Sequence, residues 1–263
     1  MTKVIAFANQ KGGVGKTTMA SQTGYGLVKE GKKVLLIDCD PQADLTKSLG
    51  VEDPDSLGIT LSELLLAVIN DEGINPCEGV MHHDEGVDFV PANIELSGME
   101  VTLVNVMSRE LILKEYINTI KDECDYDYIL IDCMPSLGML TMNALAAADS
   151  VIIPSEIGYY SVKGLQQLIK TIFKVKRQLN PGLKIEGIVM TMVDTRSNYT
   201  KDIMQILKES YSDSIRVFET YIPMCIKAKE VGIEGKSIFL HAPREKVTKA
   251  FEQFVKEVLD DER

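Results

Sequence analysis

The residues Asn9-Gln10-Lys11-Gly12-Gly13-Val14-Gly15-Lys16-Thr17-Thr18 place three glycines, two lysines and two adjacent hydroxyls within ten positions. That composition suits phosphate. Glycines let successive backbone N–H groups turn toward anionic oxygens, and a following helix N-terminus adds a favourable dipole. Lys16 would neutralise the β- and γ-phosphates of a nucleoside triphosphate, the Thr17 hydroxyl would ligate Mg²⁺, and Thr18 would hold the α-phosphate. A chance glycine-rich turn is a poor alternative, because an apolar strand-like run precedes the loop and a helical pattern follows it.

Lys11 departs from the ordinary pattern. The spacing G-x-x-x-x-G-K-[ST], ending at Gly15-Lys16-Thr17, needs glycine at position 10, where Gln10 stands. A second lysine in a loop already served by Lys16 is best explained if it reaches the nucleotide of another molecule. Such a trans cation is worth ~10³-fold or more in rate. The alternative, a solvated loop lysine, would repel Lys16 unless an anion lay nearby.

Three acids stand where a metal would need them. Asp38 and Asp40 end the strand of the apolar run 33–38 and open the loop after it, and Asp132 closes the run 127–132. Apolar strands ending in Asp beside a phosphate loop build the outer shell of a Mg²⁺ site. Capping of the next turn is the competing reading for Asp38.

Apolar runs at 3–8, 33–38, 87–91, 127–132, 150–154 and 185–192, separated mostly by helix-period segments, predict the elements that position these groups. Their near-continuous Val/Ile/Leu content marks strands covered on both faces. The expected fold is therefore α/β, a mostly parallel twisted sheet with helices on both faces and ligands at the carboxyl ends of strands. Residues 1–263 read as one domain, with 50–86 as a surface excursion around one helical segment.

At 263 residues, with 45% hydrophobic content, the chain can bury a full core. No apolar run approaches the ~20 residues of a membrane span, and no signal-peptide pattern precedes the first strand, so a cytoplasmic location is expected. Five cysteines without a CxxC pair are expected to be free thiols. A net charge of −11 means that any nucleic-acid binding needs a local basic patch. One candidate is the helical segment 161–179, where Lys163, Lys170, Lys174 and Arg177 share a stripe opposite Leu165, Leu168, Ile169, Ile172 and Leu179. A solvated basic face explains that stripe equally well. A second candidate is the segment after Pro223, with Lys227 and Lys229. His82, His83 and His241 read as solvated, and the apolar face of the C-terminal helix reads as packing onto the core.

Six ordered stretches carry a resemblance: NQKGGVGKTT (9–18), VLLIDCDPQAD (34–44), YDYILIDCMPSLGMLTMNAL (126–145), IIPSEIGYYSVKGL (152–165), GIVMTMVDTRSN (187–198) and YIPMCIKAKE (221–230). Together they span nearly the whole chain and resemble the ParA/MinD branch of deviant Walker-A ATPases, most closely the ParA/Soj chromosome and plasmid partition ATPases. The resemblance implies ATP and Mg²⁺ as cofactors and a homodimer in the ATP state. It also implies sequence-independent binding to double-stranded DNA, hence nucleoid association, and hydrolysis stimulated by a ParB-like partner. It assigns Asp40 to the attacking water, Asp38 to support of the metal region, Asp132 to the Walker-B acid, Pro223 to the adenine, and Lys227 to a position implicated in DNA contact.

Two departures stand out. Met134-Pro135 replaces the usual pair of prolines after Asp132-Cys133, and Met224-Cys225 stands where relatives often carry Arg-Asn. The alternatives are a MinD-like positioning ATPase on membrane, disfavoured by the acidic C-terminus, and a metabolic ATP-dependent enzyme on the same fold.

Overall fold

The computed structural model describes residues 2–73, 75–156, 159–194, 196, 198–211 and 215–260; side chains at 159–163, 198, 199, 201, 207, 208, 210 and 229 are outside the description. The strands are β1 (Lys3–Phe7), β2 (Val34–Cys39), β3 (Met81–His82), β4 (Asp88–Val90), β5 (Tyr128–Cys133), β6 (Ser150–Glu156) and β7 (Lys184–Thr191). They form one sheet in the order β3-β4-β2-β5-β1-β6-β7, parallel throughout except for the short antiparallel edge strand β3. β2 and β5 are buried at every position, as the apolar runs 34–37 and 128–131 require of strands covered on both faces, and Asp38 and Asp132 near their carboxyl ends are buried with them.

The helices are α1 (Lys16–Lys29), α2 (Asp44–Ser48), α3 (Leu61–Ile69), α4 (Leu96–Thr102), α5 (Ile112–Glu123), α6 (Met139–Ala147), α7 (Tyr159–Gln178), α8 (Asn198–Tyr211), α9 (Lys227–Glu234), α10 (Ile238–His241) and α11 (Lys246–Asp260). One core lies between the sheet and α3, α5, α6 and α7, with Tyr116, Ile117, Leu140, Leu168 and Ile172 among its buried residues. The other lies under α1, α10 and α11, with Met19, Leu27, Phe239, Phe251 and Phe254. Val247, Ala250, Phe251, Phe254, Val255 and Val258 of α11 all face inward, so this helix is a core element. No helix among the described residues is long and apolar enough to cross a membrane.

Two expectations are corrected here. The segment 50–86, expected to run over the surface, contributes α3 to the core through Leu61, Leu64 and Leu65 and extends the sheet through β3. Burial of Leu61, Leu64 and Leu65 supplies the driving force, and Thr60 with Glu63 closes a capping box at the helix start. The cysteines are not all free. Cys77, after α3, and Cys124, after α5, are joined as a disulfide, while Cys39, Cys133 and Cys225 remain free. The two partners are 47 positions apart in sequence, a spacing with no local signature.

Candidate active site

The phosphate loop leaves the carboxyl end of β1, the strand flanked by β5 and β6. Gly15 caps α1 with φ 83° and ψ 27°, a left-handed conformation that favours glycine. Neither a capping side chain nor an acidic residue occupies the first turn of α1, which leaves the dipole and backbone donors to an anion. Lys16 begins the helix and is buried, so its ammonium is committed to the site interior.

Residues outside the glycine pattern brace this loop. The Thr191 hydroxyl at the end of β7 donates to the Val14 carbonyl at 2.8 Å. The Asn9 amide donates to the Pro154 carbonyl on β6 at 2.6 Å, and Asn9 Oδ1 accepts the Lys11 N–H at 3.0 Å. Sequence reasoning missed both braces. Asn9 stood inside the recognised stretch, whereas Thr191 gave no signal because its partner is 177 positions away.

The acids converge through strand register. Asp38 on β2 pairs directly with Asp132 on β5. Thr46 on α2 donates to Asp38 Oδ2 from its N–H at 2.9 Å and its hydroxyl at 2.6 Å, and the Asp40 N–H donates to Oδ1 at 3.2 Å. Even so, burial pushes the Asp38 carboxyl up to about 7. Both Asp38 oxygens are thus engaged by Thr46 and the Asp40 loop. Burial, then the Asp38 charge, push Asp132 well above the usual carboxylate range, with the Thr17 hydroxyl and Lys16 pulling the other way. Asp132 Oδ1 is buried with no hydrogen-bond partner. An orphaned carboxylate oxygen beside the Thr17 hydroxyl is the environment that a hydrated divalent cation would complete, so these residues fit Mg²⁺. Asp40 is half-buried, with Oδ1 accepting the Gln42 N–H at 3.0 Å.

Lys11 Nζ lies 2.6 Å from Glu156 Oε2 at the end of β6, and both side chains are roughly half-exposed. On the other side of the loop, Gly15, Thr18, Met19, Met192, Ile222, Pro223, Met224 and Cys225 line an apolar cavity against Phe251. Pro223 thus shares a cavity with the phosphate loop. It is carried there by an isolated parallel bridge to Val193, with the Val193 N–H bonded to the Ile222 carbonyl at 3.0 Å.

Lys170, Lys174 and Arg177 are exposed on α7, whose opposite side buries Leu165, Leu168 and Ile172. Lys227 starts α9 and pairs with Glu245 at 2.8 Å. The side chains of Lys163 and Lys229 lie outside the described residues. Two histidines expected to be solvated are engaged instead. His83 accepts the Glu85 N–H at 3.1 Å, and its Nε2 lies 3.0 Å from the Gly235 carbonyl. His241 sits between Glu234 at 3.1 Å and Glu230 at 3.3 Å. Each is drawn in by partners distant in sequence or supplied by a neighbouring helix. His82 is exposed and bonds Asp88 at 2.6 Å.

A sequence family described as an AAA domain matches residues 2–185. The sporulation initiation inhibitor protein Soj of Bacillus subtilis (strain 168) is 40% identical over 260 residues, 98% of each chain. The chain belongs to the Soj/ParA family of P-loop ATPases. The chromosome-partitioning ATPase Soj of Treponema pallidum (strain Nichols) is 38% identical over 259 residues, again 98% of each chain. Among solved structures, cobyrinic acid a,c-diamide synthase from Mycobacterium smegmatis, with bound ATP analog and magnesium, superposes with a TM-score of 0.84. It is 36% identical and covers 98% of this chain and 95% of that one. The mostly parallel sheet with helices described above agrees with this family and with that structural neighbour.

Proposed function

We propose that this chain is an ATP-operated partition switch that dimerises on ATP, binds double-stranded DNA without regard to sequence, and lets go when a ParB-like partner stimulates hydrolysis. The cargo would be a plasmid or chromosome, and the ATP state would be nucleoid-associated within the cytoplasm. The observation that carries this reading is Lys11, a half-exposed second cation on a loop whose own lysine, Lys16, is already buried.

In this reading the N–H groups of Gly12, Gly13, Val14 and Gly15 surround the phosphates, Lys16 neutralises the β- and γ-oxygens, and Thr18 holds the α-phosphate. Mg²⁺, when bound, supplies positive charge to the β- and γ-oxygens. Thr17 would hold it directly, and Asp132, with Asp38 behind it, would hold its water shell. Asp40 orients the attacking water. Pro223 lies against the adenine, and the neighbouring sulfur-bearing side chains offer it an apolar bed. Lys11 leaves Glu156 for the partner's triphosphate, so closure and catalysis share one residue. Lys170, Lys174 and Arg177 on α7 and Lys227 and Lys229 on α9, with Lys163, supply the phosphate contacts of DNA.

Binding to a long arbitrary duplex with ATP, ADP or no nucleotide tests this, using wild type, Lys11→Ala, Asp40→Ala and Lys227→Ala. The switch requires binding that depends on ATP, disappears in Lys11→Ala and Lys227→Ala, and persists in Asp40→Ala. Hydrolysis without DNA binding in any state rejects it. The likeness to the mycobacterial diamide synthase supports a second reading, an ATP-dependent amide synthase, which predicts ATP turnover that needs a carboxylic acid and an ammonia donor together and is unmoved by DNA.

A further inference from the structure

The loop 134–138 joins Asp132 on β5 to the start of α6, and it is held at three places. Its near end follows Asp132, the buried acid beside Thr17. Its middle lies over the phosphate loop, because a Cβ placed on Gly12 would sit 3.9 Å from Pro135 Cβ, in ordinary contact. Its far end is gripped from outside by Glu100 on α4. Glu100 Oε2 accepts the Met139 N–H at 3.0 Å and Oε1 accepts the Leu140 N–H at 3.1 Å. Gly138 makes this approach possible, since a Cβ there would meet Glu100 Oε1 at 2.5 Å.

A carboxylate accepting two N–H groups at a helix start makes charge-assisted hydrogen bonds and complements the dipole. Gly138, at the N-cap of α6, has no side chain of its own to cap the helix. Within the loop the hydrogen bonds are local, Ser136 N–H to the Met134 carbonyl at 2.9 Å and Gly138 N–H to Ser136 Oγ at 3.1 Å. Only one proline, Pro135, stiffens it, and Met134 and Leu137 pack partly buried against the core, so the Glu100 grip adds to that packing in holding Pro135 over Gly12. Glu100 is half-buried, on a helix fixed by Leu96 and Met99.

We infer that Glu100 is a positioning residue for ATP hydrolysis: by anchoring the far end of the loop 134–138, it holds that loop against the phosphate loop where the γ-phosphate reacts. This rests on the reading above that the triphosphate occupies the loop 9–18 with Asp40 serving the water. The effect falls on the chemical step and not on nucleotide affinity, because the groups that hold the phosphates, Lys16 and the glycine N–H groups, are braced separately by Asn9 and Thr191.

The test measures steady-state ATP hydrolysis, mant-ATP affinity with Mg²⁺, and amide hydrogen exchange over 134–142. The proteins are wild type, Glu100→Ala, Glu100→Gln and Asp40→Ala. Loss of the anchor should lower kcat by about 10- to 100-fold in Glu100→Ala. The mant-ATP affinity should stay within about twofold of wild type, and exchange at Met139 and Leu140 should quicken. Glu100→Gln, which keeps a carbonyl acceptor, should recover part of the rate. Normal turnover in Glu100→Ala with Met139 and Leu140 deprotected would overturn the inference, as would a parallel loss of kcat and affinity not eased by Gln. An Asp40→Ala protein that hydrolyses normally would reject the underlying site reading whatever the Glu100 variants do.

Discussion

Lys11 and Glu156 form an ion pair within one chain, 2.6 Å from Nζ to Oε2, across the gap between the phosphate loop and the end of β6. The pair supplies the anion that a second loop lysine needs when no triphosphate is present. In the proposed switch it also sets up a competition, since Lys11 could not hold Glu156 and reach across a dimer at once. Exposed pairs of this kind contribute about 0.2–1 kcal/mol. Glu156→Gln should therefore shift the ATP concentration for dimerisation downward by up to about fivefold. Light scattering against ATP concentration measures the shift, and Lys11→Ala should abolish the dimer in either background. An unchanged midpoint in Glu156→Gln would remove Glu156 from the switch.

Chemistry written in contiguous residues was legible, and chemistry made by distant contacts was not. Six of the seven strands were readable because parallel strands buried on both faces are nearly continuously apolar, as Val34–Cys39 and Tyr128–Cys133 are up to Asp38 and Asp132. The two-residue strand β3 carried no such pattern. Lys16, Thr17 and Asp132 stood in short motifs, so they could be placed before any contact was known. Glu156, Thr191, Thr46 and Glu100 could not, since each earns its role from a partner brought near only by the sheet order. The Cys77–Cys124 pair escaped for the same reason.

Asp132 is a carboxylate kept where a neutral group would be more comfortable. It is buried, lies beside Asp38 in register, and has an unpartnered Oδ1. Asp132→Asn should stabilise the nucleotide-free protein by about 1–3 kcal/mol while removing Mg²⁺-dependent stabilisation and hydrolysis. Thermal melts with and without MgATP read both effects together. A variant that is less stable without nucleotide would show that the charge is well compensated by Lys16.

The same burial predicts a pH signature. Asp38 is pushed from an ordinary 3.8 up to about 7, so the folded protein holds a proton that the unfolded chain releases between those values. Stability of the nucleotide-free protein should therefore fall as pH rises through that window. Denaturant midpoints from pH 4 to pH 7.5 measure it. A rising stability across the same range would contradict the burial of this acid as a net cost.

Thr191 braces the phosphate loop through a buried hydroxyl bonded to the Val14 carbonyl at 2.8 Å. Thr191→Val keeps the shape and removes the donor. The orphaned carbonyl should cost about 1–3 kcal/mol of stability. Nucleotide affinity should weaken as well, because Val14 lies in the loop whose N–H groups turn toward phosphate. Calorimetric titration with ADP and Mg²⁺ would detect this, and unchanged affinity at lowered stability would confine Thr191 to folding.

DNA binding by an acidic chain must come from local charge, and the ion pair of Lys227 with Glu245 limits what that lysine offers. Burial plays little part there. The Glu245 carboxylate, through its hydrogen bond and charge, holds the Lys227 ammonium above its ordinary pKa. Glu245→Gln should free the lysine and raise ATP-state affinity for DNA, whereas Lys227→Ala should lower it. Lys170, Lys174 and Arg177 are exposed on α7, and removing any one that touches phosphate should reduce the slope of log affinity against log salt by about one per DNA-bound copy. The two surfaces are separable by this measurement. A slope changed only by the α7 substitutions would assign DNA to that helix and leave Lys227 as the partner of Glu245.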